Sequence, residues 1–243
     1  MDYRKLYLDY KKKYLQLKHG QKGGSENISI TSPEELKYIM EKYNIDTSKW
    51  GTGSAKKITD LYKEILEGET ILQDNNGKLE RAVVVLYILV VSNGKILIEN
   101  EQILPDRRIR SRNLPLAEKI KPRESWIDAT IRGINEELAI LGDSSEDNNI
   151  KIKVTFNKEL NITINKESYK YIVPKSGVLS SSYPNLLSYY YYHIVEVNID
   201  GIPATDFLSY EKKENGYMIA KWKWFDVETA KKMNGTIRDY YLY

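Results

Sequence analysis

Two adjacent glutamates, Glu136 and Glu137, close the stretch EKIKPRESWIDATIRGINEEL that begins at Glu118. Side by side on a helix, at about 100° per residue, they flank the direction of residue 133, one turn earlier. That residue is Gly133, so two carboxylates face one patch of helix surface with no side chain between them. Such a pair can be two hard oxygen ligands for a divalent cation, or two solvated charges on an outer face. Gly133 asks for its own reason, because glycine inside a helix costs about 1 kcal/mol relative to alanine. A close approach of the loop at residues 117–121 would supply one. A second group lies just upstream, where Arg107, Arg108, Arg110 and Arg112 form the densest basic cluster of the chain. Strand alternation places Arg108, Arg110 and Arg112 on one face, where guanidinium forks suit phosphate. The alternative is a charged edge strand, with Glu80, Glu99 and Glu101 as ion-pair partners.

These side chains need a helix and a sheet to hold them. Ser125, with Asp128 three residues on, marks the start of the helix and leaves Glu124 just outside. Ile127, Ile131, Ile134, Leu138 and Leu141 recur at steps of three and four, which predicts the face that packs on a sheet. Further upstream, SPEELKYIMEKY carries a cap at Ser32, Pro33 at the first helical position and Glu35 three residues after the cap. AKKITDLYKEILEGE continues the helical pattern through Ile58, Leu61, Ile65 and Leu66 to Gly68. Then RAVVVLYILVV and ILIENEQIL read as strands of a meander with Asn-Gly turns at DNNGK and SNGK. KIKVTFN, KYIVP and YYYYHIVEVNI follow as strands, and KWKWFDVETAKKM as a strand leading into a helix. The fold class is α+β, helices against a mixed sheet. Residues 1–24 are expected to be an amphipathic leader helix with a Gly-rich linker, 25–70 a helical preface and 71–243 the main domain.

Composition narrows the chemistry. The chain has 243 residues and no cysteine, which removes disulfides, thiolate metal sites and cysteine nucleophiles, and its two histidines, His19 and His193, offer little for a histidine metal site. Any metal would be held by oxygen. A net charge of +3, from 37 basic against 34 acidic residues, does not by itself point to nucleic acid. No apolar run reaches the roughly 20 residues of a membrane span, so the expectation is a cytoplasmic protein without membrane contact.

With these residues in view, the stretch from Glu118 to Asp143 resembles the Nudix box, in which a loop glycine, a glutamate, an Arg-Glu pair and a Glu-Glu pair stand at fixed spacings. Glu124 falls on the first glutamate, Arg132 on the arginine, Ile134 on the aliphatic position, and Glu136 and Glu137 on the paired acids. Glu118 stands where the glycine belongs and Gly133 where the family has a glutamate. SKWGTGSAK, PDRRIRSR, LAEKIKP, RGINEEL, SSSYPNL and KWKWF extend the resemblance to a Nudix-related group with a helical preface and this variant box. The resemblance implies an α/β/α sandwich and a magnesium (or manganese) ion held by Glu136, Glu137 and Glu118, with Glu118 projecting toward the space left at Gly133. It implies that Arg132 and Glu124 orient the acids and that Arg108, Arg110 and Arg112 bind phosphate. The ligand implied is a diphosphate-linked nucleotide, such as the capped 5′ end of an mRNA, either hydrolysed or, with the helix glutamate gone, only bound. Glu118, Glu196, Glu211 and Glu214 are open as the general base.

A base would be held between flat side chains, for which Tyr189 to Tyr192, Trp126, Trp222 and Trp224 are available, although each fits core packing as well. His193 reads as a hydrogen-bonded strand histidine. The leader, rich in tyrosine and lysine and ending in Gly-Gly, resembles N-terminal segments of giant DNA virus proteins of the mimivirus type. That implies a host cytoplasm as the setting, and the leader helix is a candidate for docking a protein partner.

Overall fold

The computed structural model describes residues 25–138, 140–143, 155–156, 161–213 and 216–242. The leader helix expected over 1–24, most of the strand expected at 151–157, and Glu214 lie outside them. The described chain is α+β, and it divides into two compact units, one of Met1–Val84, Lys119–Ser125 and Val173–Tyr191, the other of Val85–Glu118, Trp126–Ile172 and Tyr192–Tyr243. Among the described residues no helix is long and apolar enough to cross a membrane.

In the first unit, helix α1 spans Pro33–Lys42 and begins as its capping residues require: Ser32 Oγ accepts the Glu35 N–H at 3.1 Å, and Glu35 returns a carboxylate oxygen to the Thr31 N–H at 2.7 Å. Helix α2 spans Ile58–Leu66. Gly68 then takes a φ of +71°, and a Cβ there would lie 2.4 Å from Pro122 Cγ, so both its backbone and its packing require glycine. Strands β1 (Ser25–Asn27), β2 (Thr70–Asn75) and the first half of β3 (Lys78–Ser92) pair antiparallel. The helices bury Leu36, Met40 and Leu61 against Leu72, Leu79, Tyr183 and Leu186.

The meander forms through the two Asn-Gly turns. Asn76 and Gly77 have φ of 53° and 79°, Asn93 and Gly94 of 49° and 73°, the left-handed pairs that a two-residue hairpin uses. In the second unit, β4 (Lys95–Ile103) pairs with β5 (Ile109–Leu114) and with β13 (Gly216–Asp226). The ladder continues through β12 (Phe207–Lys213), β7 (Ile140–Asp143) and β8 (Thr155–Phe156). Strand β9 (Asn161–Ile172) pairs with β11 (Leu187–Asp200), and all of these pairings are antiparallel. Short strands β6 (Leu116–Lys119) and β10 (Val178–Leu179) complete the set.

Helices lie on both faces of this unit's sheet. Tyr87, Leu89, Ile96, Ile98 and Ile194 pack under Ala230 of α4 (Val227–Met233) and under Ile237 and Tyr240 of α5 (Gly235–Leu242). On the other face Ile88 reaches helix α3 (Trp126–Leu138). Helix α3 starts directly after Ser125, as the cap predicts, but its buried face differs from the expected one. Ala129, Thr130, Gly133, Ile134 and Leu138 are buried, whereas Ile131 is exposed and Ile127 half-buried. Small residues at 129, 130 and 133 let the helix lie close to the sheet, which turns the larger isoleucines outward. Leu141 belongs to β7 and not to the helix.

Candidate functional site

Gly133 faces the end of β6. A Cβ on it would meet Glu118 Cβ and Cγ at 3.2 Å each and Ile88 Cδ1 at 3.3 Å, so the stem of Glu118 lies directly over the glycine. The close approach expected of the 117–121 loop and the occupation of this space by Glu118 are therefore the same contact. Arg132 reaches both neighbouring acids, with Nη1 at 3.3 Å from Glu118 Oε2 and 3.2 Å from Glu136 Oε2. Glu136 is exposed.

Glu137 points elsewhere. Its carboxyl is pushed up to about 8 by burial and by the negative charges of Glu99, Glu211 and Glu118, with Lys213 opposing them. The negative charge felt at Glu137 thus comes from three strands: Glu118 on β6, Glu99 on β4 and Glu211 on β12. Glu211 is bonded to Lys213. Glu99 is 3% exposed, and its Oε2 accepts the Arg112 Nε–H at 2.9 Å. Its Oε1 is buried and has no hydrogen-bond partner. As the side chains stand, no group of three or more His, Asp or Glu among the described residues is arranged to hold a metal.

The structure thus brings Glu118, Arg132 and Glu136 into one ion-pair group and Glu137 and Glu118 into one acidic group. Glu124 bends back on its own loop, where a side-chain oxygen accepts the Lys121 N–H at 2.9 Å. The arginines divide. Arg108 lies in the β4–β5 turn and bonds Asp106 through Nε at 2.7 Å, Arg112 pairs with Glu99, and Arg110 is half-buried opposite Gln102. The ion-pair alternative for the cluster therefore describes Arg112. Glu99 was legible in the sequence only as that arginine's partner, and nothing in the spacing placed it beside the helix acids.

The remaining candidates are packing residues. Trp222 is 1% exposed and donates through Nε1 to Ser209 Oγ at 2.7 Å, and Trp224 donates to the Pro203 carbonyl at 2.8 Å. Trp126 is half-buried and stacks on Tyr169 at 4.5 Å. Tyr192 packs on Tyr87 at 5.0 Å. In the first unit, the Tyr189 hydroxyl lies 3.4 Å from Glu80 and that of Tyr190 3.4 Å from Arg81. His193 is buried, with Nδ1 2.7 Å from the Tyr169 hydroxyl, and burial lowers it to about 3, so it stays neutral. Glu196 accepts the Tyr241 hydroxyl at 2.8 Å, on the α5 side of the sheet.

No family model and no curated protein matches the chain. Among solved structures it is similar to "Crystal structure of Tm1382, a putative Nudix hydrolase", at 10% identity and a TM-score of 0.30, over 92% of this chain and 87% of that one.

Proposed function

We propose that the chain is a Nudix-type pyrophosphohydrolase with a rearranged acid set, acting on a nucleotide linked through a diphosphate, for which the 5′ cap of an mRNA is the leading candidate. The observation that carries this reading is the packing of Glu118 over Gly133, on a helix whose Glu137 feels the negative charges of Glu99, Glu211 and Glu118. Like charges gathered under partial burial cost free energy unless a cation joins them. Glu137 and Glu118, with a further acid from the sheet, would hold magnesium or manganese. When bound, such an ion polarises phosphoryl oxygens and acidifies an attacking water. Arg132 neutralises Glu118 and Glu136 from the helix side, and Arg110, half-buried on β5, is the arginine we assign to a phosphate. Glu118 and Glu211 are the residues we favour for accepting a proton, Glu196 being bonded to Tyr241 of α5.

A second reading is favoured by one observation. Arg132 engages Glu118 and Glu136 together, and no ready-made metal cluster stands among the described residues. On that reading the chain recognises a capped RNA end or a nucleotide without hydrolysing it. The two readings separate on a panel of capped RNA, nucleoside diphosphate sugars, dinucleoside polyphosphates and nucleoside triphosphates, each with magnesium or manganese. Turnover of any member supports the hydrolase, and tight binding without turnover supports the binding protein.

A further inference from the structure

We propose that Asn93, at the tip of the β3–β4 hairpin, is a site of intramolecular modification, where the Gly94 nitrogen attacks the side-chain carboxamide and the residue becomes aspartate or isoaspartate. This chemistry needs neither a nucleotide nor another protein. The Gly94 N–H gives its proton to solvent, its nitrogen bonds to Asn93 Cγ, and Nδ2 leaves with a solvent proton as ammonia. Water then opens the succinimide ring, at Cγ to give aspartate or at the backbone carbonyl to give isoaspartate. Glycine is the neighbour that favours attack, because no side chain shields its nitrogen. The chain holds four Asn-Gly dipeptides, beginning at Asn76, Asn93, Asn215 and Asn234, of which Asn215 lies outside the described residues.

The three described dipeptides differ in what holds the reacting atoms. Asn234 is buried, and its Oδ1 accepts the N–H groups of Thr236 at 2.9 Å and Ile237 at 3.1 Å, so its carboxamide is committed to capping α5. At Asn76 the attacking group is held, because the Gly77 N–H donates to Asp74 Oδ1 at 2.7 Å and the charge of Asp74 disfavours loss of that proton. Asn76 Nδ2 also donates, to Asn75 Oδ1 at 3.2 Å. Among the described residues nothing bonds the Asn93 carboxamide or the Gly94 N–H, and Asn93, Gly94 and Lys95 are exposed.

The ladders rank the turns in the same order. The hairpin imposes left-handed φ values of 49° on Asn93 and 73° on Gly94, and attack requires the turn to leave that pair, so the reaction proceeds from a locally opened tip. The Asn93 turn closes a ladder of two cross-strand pairs, Ser92 with Lys95 and Val91 with Ile96. The Asn76 turn closes one of six, from Asn75 with Lys78 to Thr70 with Val83. Conversion places a charge at the Asn93 tip and, as isoaspartate, lengthens its backbone by a methylene that a two-residue turn does not accommodate. Ile96 and Val91, just below, pack in the cluster under α4 and α5, so the change reaches that core.

The test incubates the unaltered full chain at mildly alkaline pH, folded and in urea, and follows each Asn-Gly peptide by mass spectrometry. Isoaspartate is read independently with an isoaspartyl carboxyl methyltransferase and a labelled methyl donor. In urea, Asn76, Asn93 and Asn234 should convert at similar rates. In the folded chain Asn93 should outpace Asn76 and Asn234 by about tenfold or more, since the longer ladder at Asn76 and the cap at Asn234 must open first. Its rate should rise with pH, because the attacking nitrogen has to lose its proton. An Asn93 that converts in urea but stays intact in the folded chain overturns the inference, as does one that converts no faster than Asn76 or Asn234.

Discussion

Replacing Gly133 by alanine separates two physical effects that the structure sets against each other. Alanine in an open helix position would gain about 1 kcal/mol over glycine. At Gly133 the new methyl would lie 3.2 Å from both Cβ and Cγ of Glu118 and 3.3 Å from Ile88 Cδ1. All three are a few tenths of an ångström inside ordinary contact. Ile88 is fully buried, and the Glu118 Cβ moves only with the backbone of β6, so neither neighbour yields freely. Overpacking of this kind costs about 1–3 kcal/mol, which cancels or outweighs the propensity gain. The expected result is a net loss of about 1 kcal/mol, which for a chain of this size is a Tm lower by about 2–4 °C. Urea unfolding of the parent, Gly133→Ala, Glu118→Gly and the double variant forms a cycle. The loss should vanish in the Glu118→Gly background, where two of the three contacts are gone. A Gly133→Ala variant more stable than the parent by the full propensity gain would refute the close packing of Glu118 over the helix.

Glu137 is pushed up to about 8, so the folded state holds a proton there that the unfolded chain releases near pH 4.3. Metal-free protein should therefore lose stability as the pH rises between about 4 and 8, and Glu137→Gln should flatten that slope in urea titrations, while an unchanged slope removes Glu137 from the acidic group. In the first unit Glu64 is buried among Lys56, Arg81 and Lys119, at 2.7, 2.9 and 2.8 Å, and against its burial their charges hold the carboxyl well below its usual range. Glu64→Gln strands the buried Arg81 and should cost about 3–5 kcal/mol in equilibrium unfolding; a loss under about 1 kcal/mol would show that the three cations do not depend on it. Arg110→Ala should reduce the salt slope of nucleotide binding by about one if Arg110 contacts phosphate, and an unchanged slope places it with the structural arginines.

The features that the sequence declared most clearly are those written in local chemistry. The capped start of α1, the Asn-Gly hairpins and the start of α3 after Ser125 depend on residues within a turn of one another, and each formed as read. The buried face of α3 was misjudged for a physical reason. Periodicity counts large apolar residues, and this helix approaches its sheet through Ala129, Thr130 and Gly133, whose value lies in their small size. The acidic group was half legible. Glu118, Glu136 and Glu137 share one stretch of chain, but Glu99 and Glu211 arrive on β4 and β12 through ladder registers and a bulge that no spacing rule encodes.

Glycine at position 133 acquires a physical meaning from its contact with Glu118, since a larger residue there would crowd that stem. What a divalent cation requires is convergent oxygen, and the element that delivers it is immaterial provided the carboxylate is held. The Cβ of a glutamate at position 133 would lie 3.2 Å from both Cβ and Cγ of Glu118, so one of the two stems would have to give way by a few tenths of an ångström. With the acid on β6, Arg132 can reach Glu118 and Glu136 together, a pairing that ties the strand to the helix by charge as well as by packing. On the hydrolase reading proposed above, a cation and Arg132 would compete for the Glu118 carboxylate, which the Arg132 bridge now engages.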